Sequence, residues 1–183
     1  MEIVRRLIPA PTLEERASGI ELAQAHLHRF GITAWQDAWV TPEDLDAYRL
    51  VAERGRLSAR VIACQWWERD RGGEQIDEML ERRRSGAIGR LRATTVKIMQ
   101  DGVAENYTAA MLAPYLDAEG RSTANRGISF VDPGLLRGYV TRLDAEGFQV
   151  HFHALGDRAV RVARDAIAAA RRTNGASDGR HHL

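Results

Sequence analysis

The chain has one cysteine, Cys64, so no intrachain disulfide can form. A lone thiol suits a reducing compartment, and a cytoplasmic location is expected. Cys64 falls in a strand-like run and reads as a small buried hydrophobe. Neither sign of charge is in surplus, with 26 Lys and Arg against 25 Asp and Glu. Bulk attraction to nucleic acid or to a membrane surface is therefore not expected. No apolar run is long enough to cross a bilayer, and the opening Met1-Glu2-Ile3-Val4-Arg5-Arg6 has the pattern of neither a signal peptide nor a span. No glycine-rich phosphate loop follows a strand-like segment, which removes that route to mononucleotide binding. Internal repeats and low-complexity stretches are also missing.

What remains is an alternation of strand-like and helix-like segments in a length, 183 residues, that suits one domain with a sizeable core. Thr12 with Glu15 forms a capping-box pattern ahead of Leu13, Ala17, Ile20, Ala23 or Gln24, and Leu27 at helical spacing, and Gly31 ends that helix. Residues 32–38 read as a strand. Thr41-Pro42 opens a helix that stops at Gly55. Residues 58–67 form a second strand, 73–84 a helix, and 93–100 a third strand. A long loop then runs to about Gly127. Asp132-Pro133 opens a helix that ends at Gly147, residues 148–154 form a fourth strand, and Asp157 caps a last helix to about Thr173. Such alternation predicts an α/β fold with parallel strands joined by crossover helices.

Polar residues gather at the strands' C-terminal ends: Asp37, Glu68, Lys97, Asp101, and then His151, His153 and Asp157. Parallel α/β folds build their sites there, although strand ends also carry ordinary caps and turns. His151 and His153 alternate with Val150, Phe152 and Ala154, so the two imidazoles share one face. That suits metal binding or proton transfer; the plainer alternative is two polar core residues satisfied by hydrogen bonds. In Thr94–Asp101, Val96 and Ile98 share a helix-facing side, while Thr95, Lys97, Met99 and Asp101 share the other. A buried ammonium must be paired, neutralised or modified. Three readings of Lys97 stay open: an ion pair with Asp101 or another carboxylate, a low-pKa base or nucleophile, or a carbamate bridging two metals. His26 and His28 read as surface residues of the first helix. Arg82-Arg83-Arg84 and Arg171-Arg172 complement helix ends. Of Trp66 and Trp67, one is expected in the core and the other beside a pocket. Tyr107 lies in the long loop, where a lid or substrate contact is plausible.

Four segments carry a family resemblance: Gly31–Ala38 (GITAWQDA), Val96–Val103 (VKIMQDGV), Thr108–Tyr115 (TAAMLAPY) and His153–Ala159 (HALGDRA), with Arg180–Leu183 (RHHL) in the same order. Together they resemble the metal-dependent amidohydrolase superfamily, specifically the amidohydrolase-3 group of YtcJ-like hydrolases. The resemblance implies a partial (β/α)₈ TIM barrel and a divalent metal, usually zinc, as one or two ions at its mouth. It implies hydrolysis of amide or other C–N bonds in a small-molecule amide-like substrate. Lys97, carboxylated, and His153 take the metal-ligand positions. Asp101, Tyr107, His151 and Asp157 become substrate-facing or supporting residues. The family's first-strand His-x-His, its sixth-strand histidine and its water-activating eighth-strand Asp have no counterpart here, so no catalytic residue is assignable. His26-Leu27-His28 has the first spacing but lies on a helix. The chain then reads as one incomplete barrel domain over residues 1–183, from about the second strand to the start of the sixth. Lys97 and His153 are too few to hold a catalytic zinc, which takes three protein ligands. An activity that needs a longer chain is expected; the alternative is a non-catalytic domain that self-associates through open strand edges.

Overall fold

A computed structural model describes residues 8–183; the opening Met1–Arg6 run lies outside the described residues. The elements alternate as expected: α1 Leu13–His28, β1 Ala34–Val40, α2 Pro42–Glu53, β2 Arg60–Trp66, α3 Gln75–Ser85, β3 Leu91–Met99, α4 Pro133–Ala145, β4 Gln149–His153 and α5 Asp157–Asn174. The four strands pair in parallel in the order β1-β2-β3-β4 and curl into half a barrel with helices between them. The chain's last residues extend this sheet. His182 N–H donates to Val150 O at 3.0 Å, and Phe152 N–H donates to His182 O at 2.8 Å. A parallel bridge thus forms between His151 and His182.

Local chemistry starts the helices where the sequence says. Thr12 with Glu15 and Thr41 with Asp44 form complete capping boxes, which satisfy amides that have no intrahelical partner. Asp132 caps α4 by accepting from Gly134 and Leu135 N–H. The last helix departs from expectation. Gly156, not Asp157, is the N-cap of α5, and the Asp157 carboxylate reaches across to accept from Leu112 N–H at 2.7 Å. α1 also differs: of its expected apolar stripe only Ala17 is buried, along with Gln24, while Leu13 is exposed. Ile20 and Leu27 are half-buried, Ile20 against apolar residues of the sheet and α2, and Gln24 turns inward to bond Arg56 O and the amides of Ser58 and Ala59.

Two apolar clusters form the helix-covered side. One joins Val96, Ile98, Val150 and Phe152 of the sheet to Ile76, Met79, Leu136, Val140, Leu143, Ala163, Ala166 and Ala170. The other joins Val40, Val61, Ala63, Leu91 and Ala93 to Leu45, Tyr48 and Val51. Residues 91 and 93 are odd, yet 96 and 98 are even. The register explains the switch: β2 advances two residues from Ile62 to Cys64 while β3 advances three from Arg92 to Thr95. β3 therefore carries one extra residue at Ala93–Thr94, a β-bulge. The Gln65 side-chain amide donates to the Ala93 carbonyl and to Met79 O, each at 3.0 Å. A second bulge lies in β1, where Asp37 to Val40 spans three residues against two in β2.

Candidate active site

With Val96, Ile98, Val150 and Phe152 committed to the helices, alternation turns Thr95, Lys97, Met99, His151 and His153 to the concave face. One register row crosses it. Trp66 pairs with Lys97, Lys97 with His151, and His151 with His182. Lys97 is 8% exposed, and its Nζ lies 3.3 Å from His151 Nε2. Burial lowers the Lys97 pKa from its ordinary value, against a smaller opposing pull from Cys64. No carboxylate pairs with this ammonium among the described ion pairs, so the ion-pair reading of Lys97 finds no support. His151 is pushed down to about 4, by burial first and then by the charges of Lys97, His182 and His153. Its Nδ1 is buried without a hydrogen-bond partner, and its ring stacks on His182 at 4.4 Å.

His153 stands one step closer to the strand end. Its Nε2–H donates to Gly102 O at 3.0 Å, because a carbonyl oxygen can only accept. Cys64 sits on the same face one strand away from Thr95. Gln36 Nε2 donates to its sulfur at 3.0 Å, and burial pushes the thiol pKa up to about 11.

The other expected site residues go elsewhere. Asp101 is 0% exposed. Its carboxylate accepts three backbone N–H groups, from Ala110 at 2.8 Å, Gly156 at 2.8 Å and Leu155 at 3.0 Å. It thereby ties the loop after β3 to the start of α5. Glycine is required at that junction, because a Cβ on Gly156 would lie 2.0 Å from Ala110 O. Tyr107 is exposed, has a left-handed backbone (φ 59°) and packs edge-on against Tyr115. Asp37 belongs to the helix side of the sheet, where Tyr48 OH donates to it at 2.8 Å. Trp67 is the core tryptophan and Trp66 the concave-face one. His26 is exposed on α1, away from the face.

Two residues that sequence reasoning did not place there also matter. His182 reaches the face because its segment pairs with β4. His181, next to it, points the other way into a buried cluster. Val150 N–H donates to His181 Nδ1 at 3.0 Å, and His181 Nε2–H donates to Asp144 at 2.9 Å. Asn174 and Ser177 also donate to Asp144. Burial raises the Asp144 pKa, but these bonds together outweigh it and leave the carboxyl below its usual range. Nothing local to Arg-His-His-Leu signals this, since the partners lie 31 to 37 residues away.

Imidazole and amine nitrogens are suitable donors for a zinc-like ion. The fit is partial. Among the described residues no group of three or more His, Cys, Asp or Glu is close enough to hold a metal, and His153 Nε2 is engaged by Gly102 O.

The amidohydrolase family profile (Amidohydro_3) matches residues 1–183, the whole chain. The chain belongs to the amidohydrolase family. Solved relatives agree with the fold. This amidohydrolase chain is similar to an uncharacterized metal-dependent hydrolase from Pyrococcus furiosus, at 29% identity and TM-score 0.74, with 88% of this chain and 32% of that one covered. A second uncharacterized metal-dependent hydrolase, from Pyrococcus horikoshii OT3, gives 26% identity and TM-score 0.71, with 86% and 31% covered. Among curated proteins it is 28% identical over 149 residues to the exoenzymes regulatory protein AepA of Pectobacterium carotovorum subsp. carotovorum, covering 80% of this chain and 31% of that protein. The amidohydrolase chain thus spans about a third of the length of each of these relatives. No helix among its described residues is long and apolar enough to cross a membrane.

Proposed function

We propose that this chain supplies part of the site of a metal-dependent hydrolase of amide or other C–N bonds, competent only within a longer chain of family length. The supporting observation is the placement of Lys97, His151 and His153 on one concave face, at the C-terminal ends of adjacent parallel strands. Lys97 and His153 would hold the divalent metal, zinc or a similar ion, as one or two ions. When bound, the metal supplies an acidified water and polarises the scissile carbonyl. Everything else is the work of the chain itself. Burial favours the uncharged Lys97 amine, which is the form that reacts with CO₂ to give a carbamate. His151 holds that amine at 3.3 Å while staying neutral near pH 7. Asp101 fixes the loop that carries Gly102, the partner of His153.

The test is metal analysis and amide hydrolysis on a protein that carries this chain within a complete barrel. The expected result is bound metal and activity, both lost in Lys97→Ala and His153→Ala. A metal-free, inactive longer protein rejects the reading. One observation favours a second reading, a non-catalytic domain that self-associates: among the described residues β1 has a strand partner on one side only. Light scattering separates the two, since a monomer at high concentration removes edge pairing.

A further inference from the structure

We propose that Gln65 is a positioning residue for Lys97. From the helix side of β2, its side-chain amide pins the bulge in β3 and so sets where Lys97 stands along the concave face. The proposal rests on the hydrolase reading of that face. Gln65 shares its side of β2 with Val61, Ala63 and Trp67, all apolar core residues, and is itself 1% exposed. An amide buried among them costs free energy unless its groups are paired. Its NH₂ is spent on two carbonyls, those of Met79 and Ala93, and its Oε1 is buried with no partner. A leucine would fill similar space without that cost, so packing alone does not account for the amide. The two carbonyls differ. Met79 lies inside α3, where the helix already supplies its carbonyl with a donor. Ala93 lies in the bulge, where Ala63 of β2 faces both Ala93 and Thr94 and the ladder is interrupted. Gln65 thus serves the backbone group that the bulge displaces. Pairing of β3 with β4 starts at Thr95 with Gln149, directly above the bulge. Lys97 pairs with Trp66 and His151 one turn of the pleat further on. A bulge held below Thr95 leaves the segment that carries Lys97 in unbroken register with both neighbours. A bulge free to climb β3 disturbs that register at the amine, and a ligand position tolerates only about 0.5 Å of error.

Lys97 is the only lysine of the chain, so isotopically labelled lysine reports on it alone. The test is a double-mutant cycle on the 183-residue chain, in which Gln65→Leu is combined with deletion of Thr94 and read by urea unfolding and by NMR of the labelled lysine. Deleting Thr94 removes the bulge and keeps Lys97 on its face. Gln65→Leu is expected to lower the folding equilibrium constant roughly tenfold to a hundredfold in the intact strand, and by less than about twofold once Thr94 is deleted. It also shifts or splits the Lys97 signals, and the deletion restores one sharp set. Val51→Ala, a core truncation in the other apolar cluster, destabilises the chain but leaves those signals unchanged. An equal cost of Gln65→Leu in the two backgrounds, or unmoved Lys97 signals in Gln65→Leu, overturns the proposal. If Gln65→Leu alone does not fold, the combined variant decides: folded, it upholds the role of Gln65, and unfolded, it overturns it. The two readings fail separately. Coupling without hydrolysis in the longer protein keeps Gln65 as the residue that places Lys97 and removes the hydrolase, while hydrolysis without coupling removes the role of Gln65 alone.

Discussion

Replacing Asp101 tests whether one buried carboxylate organises the mouth of the half-barrel. Its two oxygens accept three backbone N–H groups from two separate segments, and no water reaches it. A hydrogen bond to a charged group contributes about 1.5–3 kcal/mol, and a buried donor left without a partner costs about 1–3 kcal/mol. Asp101→Asn keeps one acceptor. The best orientation gives its carbonyl to Ala110 and Gly156 and turns its NH₂ against Leu155 N–H. One charge-assisted bond is lost and one donor faces another, a destabilisation of about 2–3 kcal/mol. Asp101→Ala strands all three amides and costs about 4–6 kcal/mol, a large part of the 5–15 kcal/mol that holds a typical domain. At about 2–4 °C per kcal/mol for a chain of this size, Asn lowers Tm by about 4–12 °C and Ala by more. Thermal melts and urea titrations at pH 7 measure both. Native-state hydrogen exchange adds a local readout: the amides of Ala110, Leu155 and Gly156 should exchange faster ahead of those in the Val96 and Val150 core. An alanine variant within about 1 kcal/mol of the wild type, or unchanged exchange at those three amides, refutes the reasoning.

Gly156→Ala forces a Cβ to within 2.0 Å of the Ala110 carbonyl; since that atom is backbone, the loop must move, and unfolding is expected several kcal/mol earlier, about 3–5, by chemical denaturation. The Cys64 thiol, with its pKa near 11, should react with an aromatic disulfide reagent at pH 8 at least about a hundredfold more slowly in the native state than in urea; equal rates would contradict its burial. The His151 imidazole should titrate near pH 4 by NMR. Because its folded pKa lies below the unfolded value of about 6.5, the folded chain resists the proton, so its contribution to stability is complete above pH 6.5 and is lost as pH falls toward 4. Lys97→Met removes the second-largest cause of that depression and should move the His151 midpoint upward.

Most of the architecture was legible because local signals agreed with one another. Capping boxes at Thr12 and Thr41, Pro133 behind Asp132, and alternation in Val150–His153 each fixed an element from nearby residues. Lys97 and His151 were legible on one face because Val96, Ile98, Val150 and Phe152 are unmistakably apolar. What the sequence hid is long-range. Asp101 reads as a strand-end acid like Lys97's neighbour, yet its partners are amides up to 55 residues away. Asp157 reads as an N-cap because Asp is favoured there, and only the close approach of Ala110 hands the cap to Gly156. The two bulges were out of reach because a bulge cannot be seen without the partner strand's register.

The extra residue at Ala93–Thr94 works as an inverter. Below it, odd positions of β3 meet the helices; above it, even ones do. Straightening the strand with all its residues kept would exchange the two sides of its upper half, sending the ammonium into the oily layer and isoleucine into the bowl, whereas deleting Thr94 removes the bulge and leaves both where they are. Tinkering with chemistry at this strand's tip therefore begins at its base, where one amide of Gln65 holds the kink in place.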